Sequence, residues 1–280
     1  MLCALVLCLP GCSMVRLGYG QAPDLAYWWF DRYVDFNDLQ TPRVRNTLAQ
    51  WFDWNRRTQL ADYAALLARA QSDVLADTTP ERACEYATAV RRRIDTAVDR
   101  AVPAVADIML TFTPQQLQNL ERHYAKTNAE FRADYLQADP ADRNEAAVKR
   151  TVERIEMLYS RLDEAQLAQI DRAVRQSPFD PELWLAERLQ RQREVLAMLR
   201  RLQAERAGPE QAQAALRAHI RGYERSPREV YRVYVERLTE FNCGFGANLH
   251  NGMSAAQRQA AAQRLKGWET DLRALVAEAR

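Results

Sequence analysis

Glycine and lysine are what this chain has least of. Nine glycines in 280 residues leave no Gly/Ser-rich linker that would separate independent units. Three lysines (Lys126, Lys149 and Lys266) stand among 39 basic residues, and 37 acids reduce the formal charge to +2. That balance supplies no strong field for nucleic acid or for a membrane surface. No segment sustains the alternation of a half-buried strand. No apolar run reaches the about 20 residues that a membrane-crossing helix needs.

The usual marks of catalysis are missing as well. None of His123, His219 and His250 stands three residues after a glutamate, which removes the di-iron bundle motif. No zinc-protease histidine pair, nucleophile elbow or phosphate loop occurs. The cysteines lack metal-site spacing. No catalytic residue, cofactor or metal ligand set is therefore assigned, and the chain reads as non-enzymatic. A carboxylate-dependent envelope hydrolase stays as an alternative, because paired carboxylates leave little trace in a sequence.

What is present is mostly helix-forming: Ala, Leu, Arg, Gln and Glu. Helix starts are marked by Thr41-Pro42, Thr79-Pro80, Thr113-Pro114, Asp139-Pro140, Asp180-Pro181 and Ser226-Pro227. In each, an oxygen-bearing side chain can accept an orphan N–H, and proline fits the first helical position. Thr113 with Gln116, Asp163 with Gln166, Ser226 with Glu229 and Ser254 with Gln257 have capping-box spacing. These signals predict an all-α bundle of ten or eleven helices near 24–36, 42–58, 60–76, 80–110, 114–138, 140–161, 164–176, 181–206, 209–222, 227–249 and 255–278. Pro103 should kink or end the fourth.

The first helix is dense in aromatics: Tyr27, Trp28, Trp29, Phe30, Tyr33 and Phe36 occupy every face, which predicts burial. The competing reading is an interfacial belt, which Asp24, Asp31 and Asp35 oppose. Asp31, Asp35 and Asp38 would share one face if the helix ran on. A hard cation could sit there, but pairing with Arg32, Arg43 and Arg45 is the preferred expectation. Arg91-Arg92-Arg93 and the arginines between Arg188 and Arg201 read as a solvated face, with a groove for anionic polymer as the alternative. Gly244-Phe245-Gly246 is expected to relieve crowding near Cys243.

The N-terminus carries an address. Met1–Leu9 is apolar, too short to span a membrane, and fits the core of a secretory signal. Leu9-Pro10-Gly11-Cys12 has the form of a bacterial lipobox, with small Gly11 before the cut. Residues 1–11 are read as a lipoprotein signal peptide, Cys12 as the lipid site, 12–23 as a tether and 24–280 as one helical domain. No Lys or Arg precedes Arg16, which points to a start upstream of Met1. Ser13, in place of an inner-membrane retention Asp, favours the periplasmic face of the outer membrane by likeness to other bacterial lipoproteins. The competing reading is a buried N-terminal helix. Processing would leave Cys84 and Cys243 as the two free thiols, and an oxidising envelope predicts their pairing.

Pro23-Asp24-Leu25-Ala26-Tyr27-Trp28-Trp29, Gln40-Thr41-Pro42-Arg43-Val44-Arg45, Tyr124-Ala125-Lys126-Thr127-Asn128-Ala129-Glu130 and Ser177-Pro178-Phe179-Asp180-Pro181 resemble an uncharacterised family of proteobacterial helical lipoproteins. The resemblance implies an envelope location and no known activity. Phe112-Thr113-Pro114-Gln115-Gln116 is similar to the Leu-Thr-x-x-Gln motif of periplasmic chaperones of the Spy and CpxP type, echoed at Leu162–Gln166 and Met253–Gln257. Ordinary capping boxes explain the same letters. The expected partners are the membrane, through the lipid, and an envelope protein client or polymer.

Overall fold

The computed structural model describes residues 14–279. The expected signal peptide (1–11) and Cys12 lie outside the described residues. Eleven helices and no strand occur among those described: α1 (Met14–Val34), α2 (Gln40–Thr58), α3 (Leu60–Asp73), α4 (Pro80–Met109), α5 (Pro114–Tyr135), α6 (Pro140–Tyr159), α7 (Glu164–Gln176), α8 (Pro181–Ala204), α9 (Pro209–Glu224), α10 (Glu229–Asn251) and α11 (Ala255–Ala277). The all-α expectation holds, and eight of the eleven helices start at the residue expected from the sequence.

The capping chemistry accounts for this accuracy. Side chains of Thr79, Thr113, Asp139, Asp163, Asp180 and Ser254 each accept a backbone N–H from the first turn of the following helix. The boxes of Thr113–Gln116, Asp163–Gln166 and Ser254–Gln257 are complete. Two expected caps fail. Thr41 lies inside α2 and meets the Tyr27 hydroxyl at 3.0 Å. Ser226 stops one turn short of α10, and its hydroxyl donates to Glu187 Oε1 instead. Helix α4 also runs past Pro103 without ending.

The largest departure is α1. It starts at Met14, ten residues before the expected position, and takes in most of the predicted tether. The reason is tertiary. The Tyr19 hydroxyl donates to Phe52 O and Asn55 Oδ1 of α2, its ring packs edge-on against Phe52, and Arg16 pairs with Glu278 at the end of α11. Gly18, Gly20 and Pro23 are weak helix formers, and these distant contacts override them.

The core is built in patches. Met109 of α4, Leu117 and Leu120 of α5, Leu196, Leu199 and Leu202 of α8 and Ala212 of α9 form the largest. Val74 meets Ala261 and Leu265 where α3 lies along α11. Leu162, Ile170, Leu249 and Met253 close another patch. Cys84 of α4 and Cys243 of α10 lie at disulfide distance, with Cα atoms 5.4 Å apart. A side chain on Gly244 or Gly246 would meet nothing within 4 Å, so the expected relief of crowding is not their role.

Two joints made of glutamine hold helix starts together. Asn37 caps α2 by accepting the Leu39 and Gln40 N–H groups, and Gln40 Oε1 accepts the Asn37 N–H in return. Gln40 then pairs with Gln116, the box glutamine of α5, each amide donating to the other's Oε1 at 3.1 and 2.6 Å. Each amide also reaches the carbonyl two residues before the partner's cap: Gln40 to Thr111 O, Gln116 to Asp35 O. The same pattern joins α7 to α11. Gln166 and Gln257 exchange bonds at 2.8 and 2.9 Å and donate to Gly252 O and Arg161 O.

Candidate ligand-binding cleft

A cleft of about 670 Å³ opens between the end of α5, one face of α6 and the α7–α8 connection. Helix α6 supplies Arg143, Ala147, Arg150 and Arg154, spaced four, three and four residues apart, which places them along one face. Phe131 and Tyr135 face them from α5, stacked at 4.6 Å, and Phe179 and Trp184 continue the aromatic wall at 6.0 and 6.3 Å. Asn144, Thr151, Ser177 and Asn242 add neutral polar groups.

The charges here are poorly neutralised. Arg143 donates only to Gln137 O, and Arg150 donates to Asp134 O while its guanidinium lies 4.3 Å over the Tyr135 ring. Arg154 makes no ion pair among the described residues and is exposed. Arg175 alone has a carboxylate, Asp171, at 2.9 Å. The Arg175 guanidinium, then the Asn144 amide, hold Asp171 below the usual carboxylate range. Flat apolar faces beside unpaired guanidinium forks suit a ring-bearing ligand with phosphate or carboxylate groups.

A second concavity, about 700 Å³ and nearly all apolar, lies among α1–α4 and is lined by Phe30, Leu48, Leu66, Leu67, Ile94 and Val98. A third, about 860 Å³, holds Cys84 and Cys243 among Arg69, Arg92, Glu81, Glu85, Glu236 and Glu240, so its charge is mixed.

The basic runs read from the sequence fall elsewhere. Arg91 pairs with Asp95, Arg93 with Asp62, Arg191 with Glu187 and Arg200 with Glu121. Arg188 bonds to Asn128 and Thr127. The cleft arginines were not singled out from the sequence; the spacing of Arg143, Arg150 and Arg154 on one helical face carried the signal.

The Asp31–Asp35–Asp38 face does not form, because α1 ends at Val34 and Asp35 takes φ 64°. Asp31 instead accepts the Phe36 N–H, and Asp35 accepts from Asn119. The arginines expected to pair with this group go elsewhere: Arg45 to Asp24 and Arg43 to Asp107. No cluster of three metal-ligating side chains occurs among the described residues.

Two buried carboxylates are fully engaged. Burial alone would raise Glu187, but bonds from Arg228, Arg191 and Ser226 outweigh it and leave the group below its ordinary value. Hydrogen bonds from Gln71, Lys266 and Arg273 hold Glu269 down to about 2. Neither has the raised value that a general acid needs. Burial pushes His219 below its ordinary value, and does the same to His123. His250 Nε2 donates to Ala76 O at 2.7 Å, because a carbonyl can only accept, and Nδ1 lies 2.8 Å from the Tyr159 hydroxyl. Burial raises that phenol to about 12.

The family model described as "Family of unknown function (DUF6279)" matches residues 32–232. The chain belongs to this family. No curated protein and no solved structure matches it. In this DUF6279 chain the matched span contains every arginine and every aromatic ring of the cleft. No helix among the described residues is long and apolar enough to cross a membrane.

Proposed function

We propose that this chain is a lipid-anchored envelope lipoprotein that binds an anionic envelope polymer. The lipobox motif at Leu9–Cys12 supports acylation of Cys12 and a place at the periplasmic face of the outer membrane. The observation that carries the binding reading is the cleft itself: Arg143, Arg150 and Arg154 have no carboxylate partner among the described residues and face four aromatic rings. Sugar rings bearing phosphate or carboxylate groups match both elements.

The test is titration of the purified chain with phosphorylated lipopolysaccharide core oligosaccharide and with an uncharged glucan, at low and high salt. Binding of the charged ligand alone, weakened by salt, supports the reading. Replacing both Arg150 and Arg154 by Ala is expected to lower affinity by roughly tenfold or more, since each charge-assisted bond contributes about 1.5–3 kcal/mol. Equal binding of the two glycans, or none, would sink it.

The apolar groove favours a second reading, a chaperone-like role. Val90, Ile94, Val98 and Val105 are exposed along α4 and line the apolar concavity of about 700 Å³. Suppression of client aggregation at up to equimolar ratios is the expected result; no suppression across a titration removes it.

A further inference from the structure

Helix α1 was expected to be buried, yet its outer face is apolar and open. Leu17, Leu25, Trp28 and Trp29 are 59%, 52%, 56% and 52% exposed. At about 100° per residue, these four fall within roughly one third of the helix circumference, together with the exposed Gln21 and Arg32. The opposite side is engaged by the protein: Tyr19 on Phe52, Tyr27 against Phe36 and Thr41, and Tyr33 against His123. The stripe is therefore not a loose end of the core. It is a second apolar face on a helix already held in place.

We propose that this stripe docks on the lipid bilayer, with α1 lying in the headgroup plane. Three observations select lipid over a protein partner. The chain outside the structure is the apolar run that ends in Cys12, two residues before α1 begins, so an acylated Cys12 delivers this helix to the surface before any other. Adjacent tryptophans beside leucines are the composition that favours headgroup depth. The acids that would oppose an anionic surface are engaged by the protein: Asp24 pairs with Arg45, Asp31 accepts from the Phe36 N–H and Asp35 from the Asn119 amide, while Arg32 stays exposed within the stripe. The proposal rests on the lipid-anchor reading above.

The test uses the full chain, processed in its host and reconstituted in vesicles of phosphatidylethanolamine with a minority of phosphatidylglycerol, both carrying brominated acyl chains. Quenching of tryptophan fluorescence is expected, and it should fall sharply in the Trp28→Phe/Trp29→Phe variant, which keeps the apolar surface and removes the reporters. Leu25→Glu should weaken vesicle partition of chain carrying Cys12→Ser and freed of residues 1–11 by roughly tenfold, since burying one leucine contributes about 1.5–3 kcal/mol. Circular dichroism of each variant checks the fold, which these exposed positions should leave intact. Mass spectrometry of the N-terminal peptide reads the anchor separately. Acylated chain with unquenched Trp28 and Trp29 overturns the docking and spares the anchor. Unacylated chain that still shows the quenching upholds the docking and removes the anchor. A dimer in solution whose contact shields both tryptophans from bromine also overturns the proposal.

Discussion

The Gln40–Gln116 joint and the Gln166–Gln257 joint use the same bonds in different surroundings. In both, each glutamine accepts the N–H of its own cap, exchanges bonds with its partner and donates to the carbonyl two residues before the partner's cap. In the first, both glutamines are buried, at 5% and 4% exposure, and Phe36 and Phe112, each next to one of the two caps in sequence, lie with their rings 6.4 Å apart. In the second, Gln166 is buried and Gln257 is half-open, with Leu162 and Met253 alongside. Matched bond lists therefore imply unequal stabilities. A buried amide that loses its partner bears the full desolvation cost, while a half-open one is rescued by water.

The strongest way to disturb this comparison is to uncouple the two regions. Cys84 sits on α4, whose far end packs beside the first joint, and Cys243 lies on α10, which leads into the second. Replacing both by Ser is expected to lower stability by up to about 5 kcal/mol, from the entropy of closing so long a loop. Denaturant melts under oxidising and reducing conditions check it, and two free thiols in non-reducing peptide maps of the mature protein would contradict the bridge. Next comes Gln116→Leu, expected to cost about 3 kcal/mol because it strands the Thr113 N–H and the Gln40 amide inside the protein. Gln257→Leu should cost nearer ~1 kcal/mol, since solvent reaches its partners. Equal losses in the two melts would show that burial does not set the difference.

The smallest effect expected is a response to acid. Glu269 ties α11 to α3 through Gln71, and its carboxyl is held at about 2 against an ordinary 4.5. A lowered value means that the contribution is complete above about pH 4.5 and is lost as pH falls toward about 2. Glu269→Gln should flatten the stability profile in that window. Hydrogen exchange on α3 and α11 should rise there in the parent chain, with the α2–α5 joint less affected. An unchanged profile in the variant would remove Glu269 from the acid response.

Helix boundaries were legible where a cap and its helix lie within one turn of each other, as at Thr113 and Asp163. Gln40 of the first joint was not. Thr41-Pro42 looked like the better start, but the first four N–H groups of any helix are unpaired, so Pro42 is tolerated as the third residue of α2 while Asn37 caps it. The early start of α1 was invisible because it depends on residues of α2 and α11. The exposure of Trp28 and Trp29 was misread for a related reason: hydrophobic residues around a whole helix predict burial only when enough neighbours exist to cover every side. The cleft needed the register of α6 and the approach of α5 and α8 together, and only the first is written locally.

The pairing of Arg16 with Glu278 sets the start of α1 beside the end of α11. The described chain thus closes on itself like a loop of string with its ends pinched together. A short peptide could join them and a new opening be cut in an exposed turn elsewhere, giving a permuted molecule with the same packing. By the same geometry, a reporter fused after α11 would travel with the first turn of α1, and its distance to the bilayer would report how that turn is held.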